Sequence, residues 1–177
     1  LNKASTNQGH IHAHNLIDIG ERYLTHLVDT GEIQKATAWC PKILGDSEKL
    51  WEKWIFLFAK LRQLKAISPY IPIANPQLSQ TVYEMVLCYF LNQNHAGFLR
   101  TIQEWPSHLY DISNIIQAAE EKTRSLNDDY CLKEALAQLY LYDKQYDKTL
   151  EILLEIRKGD VFQLIHKYDL FTIVEDQ

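Results

Sequence analysis

The stretch LVDTGEIQKATAWCPKI, Leu27 to Ile43, returns in outline 113 residues later as YLYDKQYDKTLEILLEI, Tyr140 to Ile156. In the first, Leu27 is followed by Gly31, Ile33, Ala36, Cys40 and Ile43; in the second, Tyr140 is followed by Lys144, Tyr146, Thr149, Leu153 and Ile156. An apolar or small residue recurs at each packing position around a short polar break. Steps of three and four residues place those positions on one helical face. Each stretch therefore predicts the end of one helix, a tight turn, and a second helix folded back antiparallel on the first. A weaker copy runs through Tyr89, Phe98, Ile102 and Trp105.

The spacing is similar to that of tetratricopeptide-type hairpins, in which a small residue in the second helix lets the first approach closely. One hairpin cannot bury its apolar face alone, so neighbours stack. The expected fold is all-α: an α-solenoid of stacked antiparallel helix hairpins, tetratricopeptide-like, over residues 15–177. Residues 1–14 are polar and aperiodic and read as a disordered leader, in which His10, His12 and His14 alternate.

Leu16, Ile17, Tyr23, Leu24, Leu27 and Val28 form one apolar face, and Gly31 suits the left-handed position behind a helix. Pro41 lacks an N–H and its ring crowds the carbonyl of Thr37, so a kink or early stop is expected near Cys40. Asp46 and Ser47 offer caps to a helix carrying Leu50, Trp51, Trp54, Ile55, Phe58 and Leu61; Phe56 and Leu57 widen that stripe, which predicts cover from more than one side. Lys65–Ser68 reads as a short helix before a loop holding Pro69, Pro72 and Pro76. Helical faces then follow at Val82, Met85, Val86, Tyr89 and Phe90, at Phe98, Leu99, Ile102 and Trp105 up to Pro106, and at Ile112, Ile115, Ile116 and Ala119. Next come Leu132, Ala135, Leu136, Leu139 and Tyr140, then Leu150, Leu153, Leu154 and Ile156. Gly159 and Asp160 are expected to start a separate short helix with Val161, Phe162 and Ile165. A last cluster, Leu170, Phe171, Ile173 and Val174, has no evident partner, which suggests a piece of a longer array.

Composition narrows the function. Of 177 residues, 46% are hydrophobic and 23% charged, as in a folded soluble protein. No apolar run approaches the roughly 18 residues of a membrane span, and the first ten residues lack the apolar stretch of a signal peptide; a soluble, cytoplasmic chain is expected. The net charge of −5 and a longest basic cluster of only Arg157 and Lys158 argue against a nucleic-acid partner. Cys40, Cys88 and Cys131, 48 and 43 residues apart, match no zinc or redox spacing and read as buried free thiols. The six glycines are isolated, so no phosphate-binding loop exists, and HExxH, GxSxG and CxxC are absent. His26, His95, His108 and His166 lack motif partners and read as polar surface residues. Glu120–Glu121 and Asp128–Asp129 diverge by about 100° on a helix and suit solvated or capping roles. No catalytic residue, cofactor or metal ligand is assigned. Exposed aromatics are the expected partner contacts, with their positions unlocated.

Several stretches carry a family resemblance: LIDIGERYLTHL (Leu16–Leu27), CPKILG (Cys40–Gly45), QLKAISPYIP (Gln63–Pro72), YEMVL from Tyr83, EWPSHLY (Glu104–Tyr110), LAQLYLYDKQYDKTLEILL (Leu136–Leu154) and KGDVFQLIHKYDLF (Lys158–Phe171). With them the chain resembles the vacuolar protein sorting-associated protein 41 family of HOPS tethering subunits over nearly everything after His14. Pro41 and Thr149 depart from it, standing where a helix-compatible residue and an alanine are expected. The resemblance implies a β-propeller, a solenoid of clathrin-heavy-chain-repeat type and a RING-like zinc domain in the whole protein, of which this chain is early solenoid alone. It implies a scaffold role in tethering and fusion at late endosome, lysosome and vacuole membranes and in vacuolar protein transport, peripheral to those membranes. The implied partners are other HOPS subunits. Rab or Arf-like small GTPases and membranes are ascribed to the propeller-containing end, so no binding residue carries over to this segment. A homo-oligomer is a further partner expectation, and a peptide-binding tetratricopeptide-like adaptor of another assembly is the alternative function.

Overall fold

A computed structural model describes residues 3–126 and 128–167, with side chains from His12 to Gly159. The cluster from Leu170 to Val174 and the side chains of His10, Val161, Phe162, Ile165 and His166 lie outside that description. Among the described residues the chain is all-α: α1 (Lys3–Asp29), α2 (Ile33–Leu44), α3 (Glu48–Lys60), α4 (Leu64–Ile67), a 3₁₀ turn (Ser68–Tyr70), α5 (Gln80–Gln93), α6 (His95–Glu104), a second 3₁₀ turn (Ser107–Leu109), α7 (Ile112–Ser125), α8 (Tyr130–Tyr142) and α9 (Tyr146–Lys167). It divides into two compact units, Leu1–Val82 and Tyr83–Gln177, the division falling within α5.

The first unit begins on a hairpin. The Gly31 N–H donates to Val28 O at 3.0 Å and the Glu32 N–H to Leu27 O at 2.8 Å. This is the double bond of a Schellman turn, closed by Gly31 at φ +79°. Ala36, fully buried, sits in α2 where a small side chain admits close approach. At Gly20 of α1 a Cβ would lie 2.6 Å from the Ile43 side chain, so these two helices meet nearly backbone to side chain. Ser47 caps α3, its hydroxyl accepting the Leu50 N–H. Trp51, Trp54, Ile55 and Phe58 fill the core with Leu24, Leu27, Cys40, Leu44 and Ile67; burying each such large side chain contributes about 1.5–3 kcal/mol. Glu21 ties α1 to α3, accepting from the Lys53 ammonium at 2.7 Å and the Trp54 indole N–H at 2.9 Å.

Three local expectations are corrected here. The segment read as a disordered leader is helical from Lys3, since extending a nucleated helix through residues without proline requires little. Pro41 does not stop α2, which runs to Leu44. The proline forfeits one bond in the last turn, and burial of Leu44 with the Ile43–Gly20 contact holds that turn in place. Phe56 is exposed rather than covered from a second side.

In the second unit α6, α7 and α8 each start on a polar capping residue. Asn94 accepts the Gly97 N–H for α6, Asp111 the Ser113 and Asn114 N–H groups for α7, and Asp129 the Leu132 N–H for α8. The core is built from Tyr83, Leu87 and Phe90, from Phe98, Ile102 and Trp105, and from Ile115, Ala119, Leu132, Ala135 and Leu139. Tyr83 and Trp105 meet edge-to-face at 5.2 Å, a favoured aromatic geometry. α8 packs against α6, α7 and α9. One further correction concerns Gly159. It does not start a new helix; α9 continues through it to Lys167. A Cβ there would lie 2.6 Å from the Tyr130 hydroxyl, so the glycine serves close packing of α9 on α8.

Candidate functional site

The repeat seen in the sequence is a repeat of backbone chemistry. At its second copy the Lys144 N–H donates to Leu141 O at 3.2 Å and the Gln145 N–H to Tyr140 O at 2.9 Å, with Lys144 at φ +59°. A third copy closes α3. There the Arg62 N–H donates to Ala59 O at 3.0 Å and the Gln63 N–H to Phe58 O at 2.8 Å, with Arg62 at φ 58°. The sequence concealed this one because arginine is an unfavourable left-handed residue.

Matching α2 to α9 by this turn exposes a difference. Thr37 and Cys40 are fully buried, as α2 packs against α1, α3, α4 and the first 3₁₀ turn. Their counterparts Leu150 and Leu153 are 60% and 45% exposed. Tyr146, Leu150, Leu153 and Leu154 recur on one face of α9, all exposed, while Thr149 on the inner side is buried. The Thr149 hydroxyl donates to Gln145 O at 3.0 Å and lies 3.4 Å from Ala137 O on α8, so the larger residue replaces alanine without leaving its oxygen unsatisfied. Periodicity marks these leucines as apolar but does not say which side of α9 is covered. The exposed aromatics Trp39, Phe56, Tyr70 and Tyr146 are spread over several elements. Trp39 meets Tyr23 at 5.7 Å and carries Lys42 at 5.0 Å above its ring.

Beside this face, α7, α8 and α9 enclose an open groove of about 480 Å³, lined by Glu120, Thr123, Arg124, Leu136, Tyr140 and Lys148. The Tyr140 hydroxyl donates to the Glu120 carboxylate. Burial, then that carboxylate, pushes the hydroxyl pKa up. Lys148 stands 5.2 Å above the Tyr140 ring, within cation–π range.

His12 and His14 are exposed on a helix, and His26 and His108 are exposed. His95 departs from the surface reading: it is half-buried, with Nδ1 2.5 Å from the Asp129 carboxylate. For Asp129, burial raises the pKa, but His95 and the Leu132 N–H outweigh it and hold the carboxyl below its usual value. Cys40 is buried and its thiol is pushed up to about 12; Cys88 and Cys131 are half-buried rather than buried. Asp129 caps and Glu121 is exposed, as adjacent carboxylates on a helix predict. Among the described residues no three His, Cys, Asp or Glu side chains converge on a metal-sized site, and no helix is long and apolar enough to cross a membrane.

Hairpins closed by one recurrent turn define a tetratricopeptide-like helical segment. The sequence model of the Vps41 TPR-like region matches residues 18–177. Vacuolar protein sorting-associated protein 41 homologs from Mus musculus and Solanum lycopersicum are 44% and 38% identical over 100% of this chain, and the Schizosaccharomyces pombe protein is 30% identical over 87% of it. The chain belongs to the Vps41 family, in its TPR-like region. It covers 21%, 18% and 18% of the lengths of those relatives, about a fifth. No solved structure matches it.

Proposed function

We propose that this chain is a non-enzymatic scaffold and protein-interaction segment of a HOPS tethering subunit. In this reading it acts in vesicle tethering and fusion at the late endosome, lysosome or vacuole, peripheral to those membranes, and in vacuolar protein transport. Family membership supports the sorting role. The observation that carries the scaffold role is the exposed row Tyr146, Leu150, Leu153 and Leu154, in which Leu150 and Leu153 stand where Thr37 and Cys40 on α2 are buried. In the same register, the occupant of the α9 row is a further helix hairpin of the assembled subunit, because the same turn geometry presents the same stripe. GTPase and membrane contacts belong to other parts of the whole protein.

The test is the full-length subunit carrying Leu150→Glu, Leu153→Glu and Leu154→Glu, compared with one lacking this segment. Loss of co-purification with the other HOPS subunits and loss of vacuole fusion are expected for both. Normal assembly and fusion without the segment would end this reading. A second reading, a peptide-binding adaptor, is favoured by the charged groove beside α9.

A further inference from the structure

We infer that the groove between α7, α8 and α9 binds an acidic peptide segment of a partner protein, with its carboxylates on Arg124 and Lys148. The inference rests on the protein-interaction reading above and names the chemistry of one partner.

One i, i+4 pairing on α7 does not form among the described residues. Glu120 and Arg124 stand four residues apart on α7, the spacing at which opposite charges pair along a helix. Yet no ion pair joins them among the described residues. Glu120 instead accepts the hydroxyl of Tyr140 from α8. Arg124 is thereby left exposed on one wall, with no carboxylate of a described residue within 4.0 Å. On the opposite wall Lys148 also has no such carboxylate and rests over the Tyr140 ring. Two cations from different helices thus flank a floor of Tyr140 and Leu136, which are 6% and 4% exposed. A guanidinium offers forked donors to a carboxylate, and the exposed Lys148 ammonium above the Tyr140 ring adds a second, compact positive charge. Glu151 acts on Tyr140 from α9 without lining the groove, so the site is dipolar, not uniformly basic. That arrangement selects spaced carboxylates with an apolar side chain between them over a general polyanion. The open groove admits an extended segment rather than an enclosed small molecule.

The test is fluorescence anisotropy of the 177-residue chain with a fluorescein-labelled decapeptide alternating Glu and Leu, beside the same peptide with Gln for every Glu. The acidic peptide should bind, and more weakly in high salt; the Gln peptide should not. Arg124→Gln and Lys148→Gln, each with unchanged circular dichroism, should each weaken binding roughly threefold to tenfold. Tyr140→Phe keeps the ring but releases Glu120 to pair with Arg124. It should weaken binding similarly and leave Arg124→Gln with little further effect. Equal binding of the two peptides, unaltered affinity in both cation variants, no binding at millimolar peptide, or capture by phosphatidylserine vesicles in place of the peptide would each overturn the inference. The scaffold reading stands or falls separately, on assembly with the α9 leucine variants.

Discussion

Lys144 and Arg62 hold a backbone conformation that costs an L-residue about 1–2 kcal/mol and a glycine almost nothing. They do so because the turn supplies two hydrogen bonds to carbonyls that a helix end otherwise leaves unpaired. Offset by glycine's greater freedom in the unfolded chain, Lys144→Gly and Arg62→Gly should each raise stability by about 0.5 kcal/mol, and Gly31→Ala should lower it by about 1 kcal/mol. Urea unfolding midpoints check this; stability falling in both glycine variants would show that the side chains contribute more than the backbone suffers. Glu21 makes a second prediction at this scale. Burial raises its pKa, but hydrogen bonds from Lys53 and Trp54 and the charge of Lys53 outweigh it, so the net shift is downward. A carboxyl lowered in the folded state stabilises above its unfolded pKa, and that contribution is lost as pH falls through the folded value. The urea midpoint should therefore drop between about pH 5 and pH 3, and Glu21→Gln should start lower at neutral pH and drop less. Parallel pH curves for the two proteins would refute the assignment.

At the scale of elements, the continuity of α9 depends on what faces Gly159. Glycine inside a helix costs about 1 kcal/mol relative to alanine, yet alanine here would set its Cβ against the Tyr130 hydroxyl at 2.6 Å. Gly159→Ala should therefore destabilise the native chain. In a Tyr130→Phe background, where only ring carbons at 3.2–3.3 Å remain, it should stabilise by up to about 1 kcal/mol. Thermal unfolding of the four-member cycle measures this, and additive effects would mean that the ring moves aside freely. The same comparison shows why Gly159 misled as a helix boundary. Glycine marks a turn or a close approach equally well, and only the position of Tyr130 decides between them.

At the scale of the whole molecule, the exposed row on α9 leaves apolar area in contact with water. The isolated chain should self-associate as its concentration rises through tens of micromolar, on the order expected for small apolar contacts. The variant Leu150→Glu, Leu153→Glu, Leu154→Glu should remain monomeric by sedimentation. Because all three side chains are exposed, its stability should stay within about 0.5 kcal/mol of the native chain. A monomeric native chain would mean that the row is too small to associate by itself.

Much of this is legible in the sequence. The three- and four-residue spacing of Leu24, Leu27, Ala36 and Cys40, and of Leu132, Ala135, Leu136 and Leu139, defines helices because only a helix puts those positions on one side. Gly31 announced its own turn, whereas Arg62 did not, since local sequence shows preference and tertiary packing can override it. Pro41 looked like a stop because its missing hydrogen bond is local and the compensating contact with Gly20 is not. Glu120 and Arg124 stand four residues apart on α7, yet Tyr140 from another helix holds the carboxylate. By itself the sequence determined the helical class, the hairpin register and the family, because periodicity and residue identity are properties of the chain. Which face of α9 is exposed, and which cations stand without a carboxylate among the described residues, was decided only by tertiary structure, since both depend on residues brought close by folding.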